Sequence, residues 1–390
     1  MTLRSNKQDN QQHSSVSTLV LKRQRVRAAL ANLYIGDSLS MPVHWFYNPG
    51  DILRRFGKFG ITGLEAAPET HPSSIMSLHS TTSGGRSRLQ RTKSPEIVGD
   101  VILKGRQHLW GRPNGHYHDG MRAGDNTLNA WWAHWLTRYL LDNDEYHCEQ
   151  WINTYVEHMT AEPPAHPDTY AESCHRGFFA NMTAGKPLLE CGAVTHDTPS
   201  MGALVTVAPL ALALLGQDHS LTATCQICKE HVWLTHPDKG LMQVVEAYVT
   251  LMHHLLNDTD QDQSTEPFVQ ASRVISGTRI DELLAAGVAD NVVVGRTYSL
   301  ACYITDSWPS VCFLAAKYRN DVNRGLLTNT NLGGENAHRG SVLGSLLGLA
   351  SGQYNQQWYE ALTLQPALDE QLNQFLDKFY AESPDSLIDI

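Results

Sequence analysis

Apolar positions recur at three- and four-residue intervals along most of the chain. In RVRAALANLYIGDSLSMPVHW (25–45), Val26, Ala29, Leu30, Leu33 and Tyr34 fall on one helical face. In TLNAWWAHWLTRYLL (127–141), Leu128, Trp131, Trp132, Trp135, Leu136 and Tyr139 form a broad apolar stripe. Further helical runs are MGALVTVAPLALALLG, TATCQICKEHVWLTH, LMQVVEAYVTLMHHLL, RIDELLAAG, SWPSVCFLAAKY and SVLGSLLGLASG. Period-two alternation is nearly absent, and NVVVG (291–295) is the single short strand candidate. The pattern predicts an all-α protein with long loops.

Two stretches interrupt the periodicity. Residues 64–120 are rich in Ser, Thr, Gly and His, and 161–177 (AEPPAHPDTYAESCHRG) is a second predicted loop. A stretch as long as the first, inside a compact domain, points to a functional loop rather than a linker. The first 22 residues are rich in Gln, Ser and Asn and read as a disordered lead-in, with a single domain over 23–390.

Composition narrows the class. Of 390 residues, 42% are hydrophobic and 18% charged, enough apolar material for a large core. A formal charge of −10 disfavours a dedicated nucleic-acid surface, which needs clustered Lys and Arg. The longest apolar run, ALVTVAPLALALL, is too short to span a bilayer and holds Pro209. Seven scattered cysteines do not form a disulfide framework, and the polar N-terminus lacks the apolar core of a signal peptide. A cytoplasmic protein acting on a small molecule, with neither membrane nor nucleic acid as partner, is expected.

Gly340, Gly344, Gly348 and Gly352 lie four apart. On a helix they make one stripe, and each costs about 1 kcal/mol against Ala. The compensating gain is close approach of a second helix, so this segment is expected at the centre of a bundle. The loop ahead of it, Gly333-Gly334-Glu335-Asn336, then opens a buried helix, as does Gly124-Asp125-Asn126-Thr127. Each loop alone reads first as helix capping. Together they could converge on one site.

Read in order, IGDSLSMPVHW, MRAGDNTLNAWW, SMGALVTVAPLAL, LTHPDKG, DSWPSVCFLAA and NLGGENAHRGSVLGSLLGLASG resemble the ADP-ribosylglycohydrolase family over roughly residues 25–352. The resemblance implies an all-α bundle with a central cleft that holds two Mg²⁺ ions and hydrolyses a ribose glycosidic bond. It implies metal ligation at Asp125, Asn126, Thr127, Glu335 and His338, and ligand or cofactor contacts at Asp37, His44, Gly202 and Asp306.

The motifs depart from that pattern. Where the family reads Thr-Asp-Asp-Thr, this chain has Gly124, Asp125, Asn126 and Thr127. Where it reads Gly-Asp-Thr-Asp-Thr, the chain has Gly334, Glu335, Asn336, Ala337 and His338. An acidic residue usual near the first helix end aligns with His44. Four carboxylates balance two divalent ions; Asp125 and Glu335 balance one. One ion at most is expected, with His338 shifting preference from Mg²⁺ toward Mn²⁺, Fe²⁺ or Zn²⁺.

The chain also has 19 histidines, and His44, His116, His118, His175, His196 and His338 fall in the expected cleft loops. Asp125, Glu335, His338 and His118 are the expected catalytic residues, with Asp119 and Asp197 as further candidates. Cys225-x-x-Cys228-x-x-His231 lacks a partner pair and reads as packing. The leading expectation is a metal-assisted hydrolase of ADP-ribose or a related small molecule. The alternatives are a different metal enzyme on the same bundle and a non-catalytic member.

Overall fold

The computed structural model describes residues 5–86, 96–195, 197–258 and 264–381, with side chains from residue 18. Within them lie sixteen α-helices and short 3₁₀ turns, with no strand longer than an isolated bridge. The first helix, Ser5–Ser40, starts inside the segment expected to be a disordered lead-in and runs unbroken through residue 22. The strand candidate NVVVG is instead a short helix, Asp290–Val293, ending in a bridge between Val294 and Tyr298. Val293 and Val294 are buried in the core. Part of the second predicted loop is also helical, as Ser173–Thr183. No helix of the described residues is long and apolar enough to cross a membrane.

The centre of the bundle is an antiparallel pair, the first helix and the glycine helix Asn336–Ser351. Gly340 lies against Gly36, Gly344 against Asn32, and Gly348 against Ala28, so the two backbones touch. The glycine helix is buried from Asn336 to Leu349. This explains its lack of a polar face: other helices enclose it, including Ile304–Tyr318 and Val322–Leu332. The antiparallel arrangement brings the end of the first helix to the start of the glycine helix. The loops before Leu128–Asp142 and Ser173–Thr183 end beside that same point.

Away from this end, His231 is buried among Tyr146, Thr206 and Trp132, with Tyr146 Oη 2.8 Å from Nδ1 and Thr206 Oγ1 2.8 Å from Nε2. Cys225 and Cys228 are free and buried, as a packing role requires. Burial, aided by His236, pushes His231 down to about 3. A folded-state value below the unfolded one makes stability fall as pH drops from about 6.5 toward 3, by up to about 1.4 kcal/mol per pH unit for this group. The urea midpoint should therefore decline across pH 6 to 4. His231→Gln should make that decline shallower.

Candidate active site

The Gly333-Gly334 pair builds the site. Both residues have positive φ, 72° and 64°. A Cβ on Gly333 would overlap Phe46 O, and one on Gly334 would overlap Leu300 O. This close approach lets Trp45 N–H donate to Gly334 O and Gly334 N–H donate to Phe46 O, each at 2.8 Å. Arg339, fully buried, ties the turn down by donating to Asn329 Oδ1 at 2.6 Å and Gly333 O at 2.9 Å. Trp45 itself sits at φ 62°, a strained conformation for a bulky residue. Its indole N–H donates to Glu335 Oε2 at 2.5 Å, and its ring stacks on His44 with centroids 3.7 Å apart.

Three buried side chains face one another at this point: His44, Glu335 and His338. His44 Nε2 lies 3.5 Å from Glu335 Oε1, and Glu335 Oε1 contacts His338 Nδ1 directly. None of these three atoms makes a hydrogen bond of acceptable geometry. Glu335 and His338 form an ion-pair contact, and with His44 their ligand atoms lie close enough together to hold one cation. Glu172 Oε1 is 3.7 Å from His338 Nδ1, while its Oε2 accepts from Asn129 Nδ2 at 2.8 Å.

The charges are mutually adjusted. Burial pushes His44 down to about 3, against the pull of Glu335. Burial also opposes a charged His338, but Glu172, Glu335 and Asp37 together push it up to about 10. Glu335, although buried, is held well below the usual carboxylate range by His338 and His44. Burial, reinforced by Glu335, pushes Glu172 up to about 7 against the pull of His338.

Behind His44 is a chain of hydrogen bonds. His44 Nδ1 is 2.8 Å from His118 Nε2, with the two rings only 4° from coplanar, and His118 Nδ1 is 2.8 Å from Asp168 Oδ1. Asp168 also accepts from Leu128 N at 2.7 Å and Tyr170 N at 3.1 Å. Burial would raise Asp168, but His118 and His166 hold it below the usual range. Two other histidines hold the backbone. His71 Nε2 reaches His44 O at 2.8 Å, and His116 Nε2 reaches Pro42 O at 3.1 Å, while His116 Nδ1 accepts from His118 N.

The cluster lies under a small cavity of about 140 Å³, lined in part by Trp45, Tyr117, Tyr170, Glu172, Asp197 and Tyr303. Glu172 and Trp45 therefore face both the cluster and the opening.

Of the expected residues, Glu335, His338, His44 and His118 come together. The AGDNT loop does not join them. Asp125 accepts from Arg122 N at 2.8 Å and Thr363 Oγ1 at 2.7 Å, so one oxygen closes a turn and the other ties the loop to a distant segment. Asn126 Nδ2 donates to Tyr34 O, and Thr127 donates from N and Oγ1 to Asp37. Asp37 is thus occupied by Thr127, and burial pushes it up to about 6. Gly202 gives space rather than a contact: a Cβ there would come within 2.7 Å of Asn129 Nδ2 and collide with Glu172. Asp306 accepts from Ser299 N at 2.9 Å, at the start of its own helix. Asp119 pairs with Arg112, His175 bonds Tyr155 Oη at 2.7 Å, and His196 lies outside the described residues. Asp125→Ala should cost about 1–2 kcal/mol in chemical denaturation and leave divalent-cation affinity unchanged by calorimetry.

Sequence reading missed Glu172 and Asp168, four apart in a segment treated as loop. Their signal was two acids in DTYAES between a proline-rich run and a helix. A second cluster of potential ligands, Glu172, Cys174 and His175, is also buried, but His175 is already bonded to Tyr155 and lies 3.4 Å from Asn129 Oδ1.

The fold is an all-helical bundle with a buried set of metal-competent side chains beneath a small cavity. The chain belongs to the ADP-ribosylglycohydrolase family, which it matches over residues 19–386. Members of that family are generally dependent on divalent metal. A solved structure described as an ADP-ribosylglycohydrolase-related protein complex superimposes with TM-score 0.54 at 16% identity, over 92% of this chain and 98% of that one. That likeness speaks for the fold. No curated protein matches the sequence.

The residues present do not suit a pair of Mg²⁺ ions, which want oxygen ligands throughout. Two imidazole nitrogens with one or two carboxylates suit a single borderline cation such as Zn²⁺, Fe²⁺ or Mn²⁺.

Proposed function

We propose that this protein is a hydrolase that cleaves a glycosidic bond of ADP-ribose or a related nucleotide sugar, assisted by one divalent cation. His44, Glu335 and His338 would hold the cation, and Glu172 would complete the set or face the substrate. The observation that carries this reading is the convergence of three buried ligand atoms, from His44, Glu335 and His338, beneath a cavity in a chain of this family.

A cation in this position supplies Lewis-acid polarisation of a substrate oxygen. The chain's own groups do the rest. Trp45, Tyr117 and Tyr170 form flat apolar walls for a sugar or base ring. Asn129 fixes one oxygen of Glu172, leaving the other to hand a proton to the leaving group or take one from water.

The test is thermal shift and turnover with Zn²⁺, Mn²⁺ and Mg²⁺, with and without ADP-ribose. A metal-dependent shift with ADP-ribose, and hydrolysis abolished by chelator, are expected. Absence of any metal effect on either quantity overturns the reading. The nitrogen-rich ligand set also favours a second reading, a metal enzyme with another substrate. Tight metal binding with no response to ADP-ribose would select it.

A further inference from the structure

We infer that Asp168 and His118 are positioning residues that fix the protonation of His44, so that its Nε2 presents a lone pair to a cation. The inference rests on the metal reading above and adds a device to it. Asp168 takes backbone N–H donors on both oxygens, at Leu128 and Tyr170, so it stands in the structure as an acceptor. The 2.8 Å bond to His118 Nδ1 must then have its proton on His118. With that proton placed, a His118 ring that carries no second proton has an acceptor at Nε2. The 2.8 Å bond from His44 must in turn have its proton on His44 Nδ1. His44 Nε2 is left bare, pointing at Glu335 Oε1. With one proton on each ring, a single tautomer of each satisfies both bonds of the chain.

The near coplanarity of the two rings shows that their nitrogens are aimed along a shared line, as such a chain needs. His71 and His116 hold the backbone of His44 and His118, and turning either ring would break the His44–His118 bond. A carboxylate that orients a ligating histidine is a common supporting arrangement; here it acts through a second histidine. The family's usual oxygen ligands have no tautomer to fix, whereas a histidine at position 44 does.

The test is Co²⁺ and Zn²⁺ binding by calorimetry and by the visible Co²⁺ spectrum, with melting in chelator as a check on folding. Asp168→Asn can donate to His118 Nδ1 and so favours the opposite tautomers along the chain. It should weaken Co²⁺ binding by about 10–100-fold. His118→Phe removes the acceptor and should do the same. His118→Gln can donate to Asp168 while accepting from His44, and should restore affinity to within about threefold, well inside that loss. Wild-type affinity in a folded Asp168→Asn variant overturns the relay, as does His118→Gln binding no better than His118→Phe. If the wild-type protein binds neither cation, the metal reading itself fails, a result distinct from both.

Discussion

Glu335→Gln should abolish high-affinity divalent-cation binding. Loss of a supporting residue around a metal commonly costs 10–100-fold, so loss of the one charged ligand that touches both histidines should exceed about 100-fold. Gln keeps the shape, and its amide oxygen can still accept from Trp45 Nε1–H, which holds the strained tryptophan in place. The charge is what disappears. His338 then loses its contact partner and retains only Glu172, at 3.7 Å. Calorimetry with Zn²⁺ and metal content by mass spectrometry measure the loss directly. Melting in chelator should fall, because removing one partner of a buried ion pair costs about 3–5 kcal/mol, and it reports whether the variant still folds. Unchanged metal content would remove Glu335 from the ligand set.

The second large effect concerns stability. Gly344→Ala should destabilise the protein, although Ala is the better helix former by about 1 kcal/mol. The reason is steric. A Cβ on Gly344 would lie 2.7 Å from the Asn32 carbonyl carbon and still nearer its oxygen. Those are backbone atoms of the first helix, which cannot move aside as a flexible side chain would. Overpacking of this kind costs roughly 1–3 kcal/mol or more. Because the contact repeats at Gly340 and Gly348, displacing one helix disturbs the whole interface. A net loss of about 2 kcal/mol in urea unfolding is expected, and Gly344→Leu should not accumulate as folded protein. A gain in stability on Gly344→Ala would show that the helices can separate at small cost.

The glycine stripe, the helical periodicity and the Gly-Gly turn into Asn336 were all legible in the sequence. Each is a local pattern whose physical meaning does not depend on distant residues. A four-residue glycine period has few uses in an apolar helix. The family motifs likewise follow one another along the chain and can be read without coordinates.

The cluster was legible only in part. Glu335 and His338 share one loop and one helix start, so their proximity is local. Asp125 looked equivalent because AGDNT has the same form as GGENA, and capping and ligation use the same residue types. Only the bond from Thr363, more than two hundred residues away, separates Asp125 from the cluster around Glu335. Glu172 and Asp168 lay in an unpatterned loop, where sequence gives no direction to a side chain. Their placement beside His338 and His118 depends on how that loop crosses the end of two helices. By itself, the sequence determined the all-helical architecture and the buried start of the glycine helix, because periodicity and glycine spacing act over a few residues. Tertiary structure alone decided which acids and histidines meet, because that depends on bonds between segments far apart in the chain.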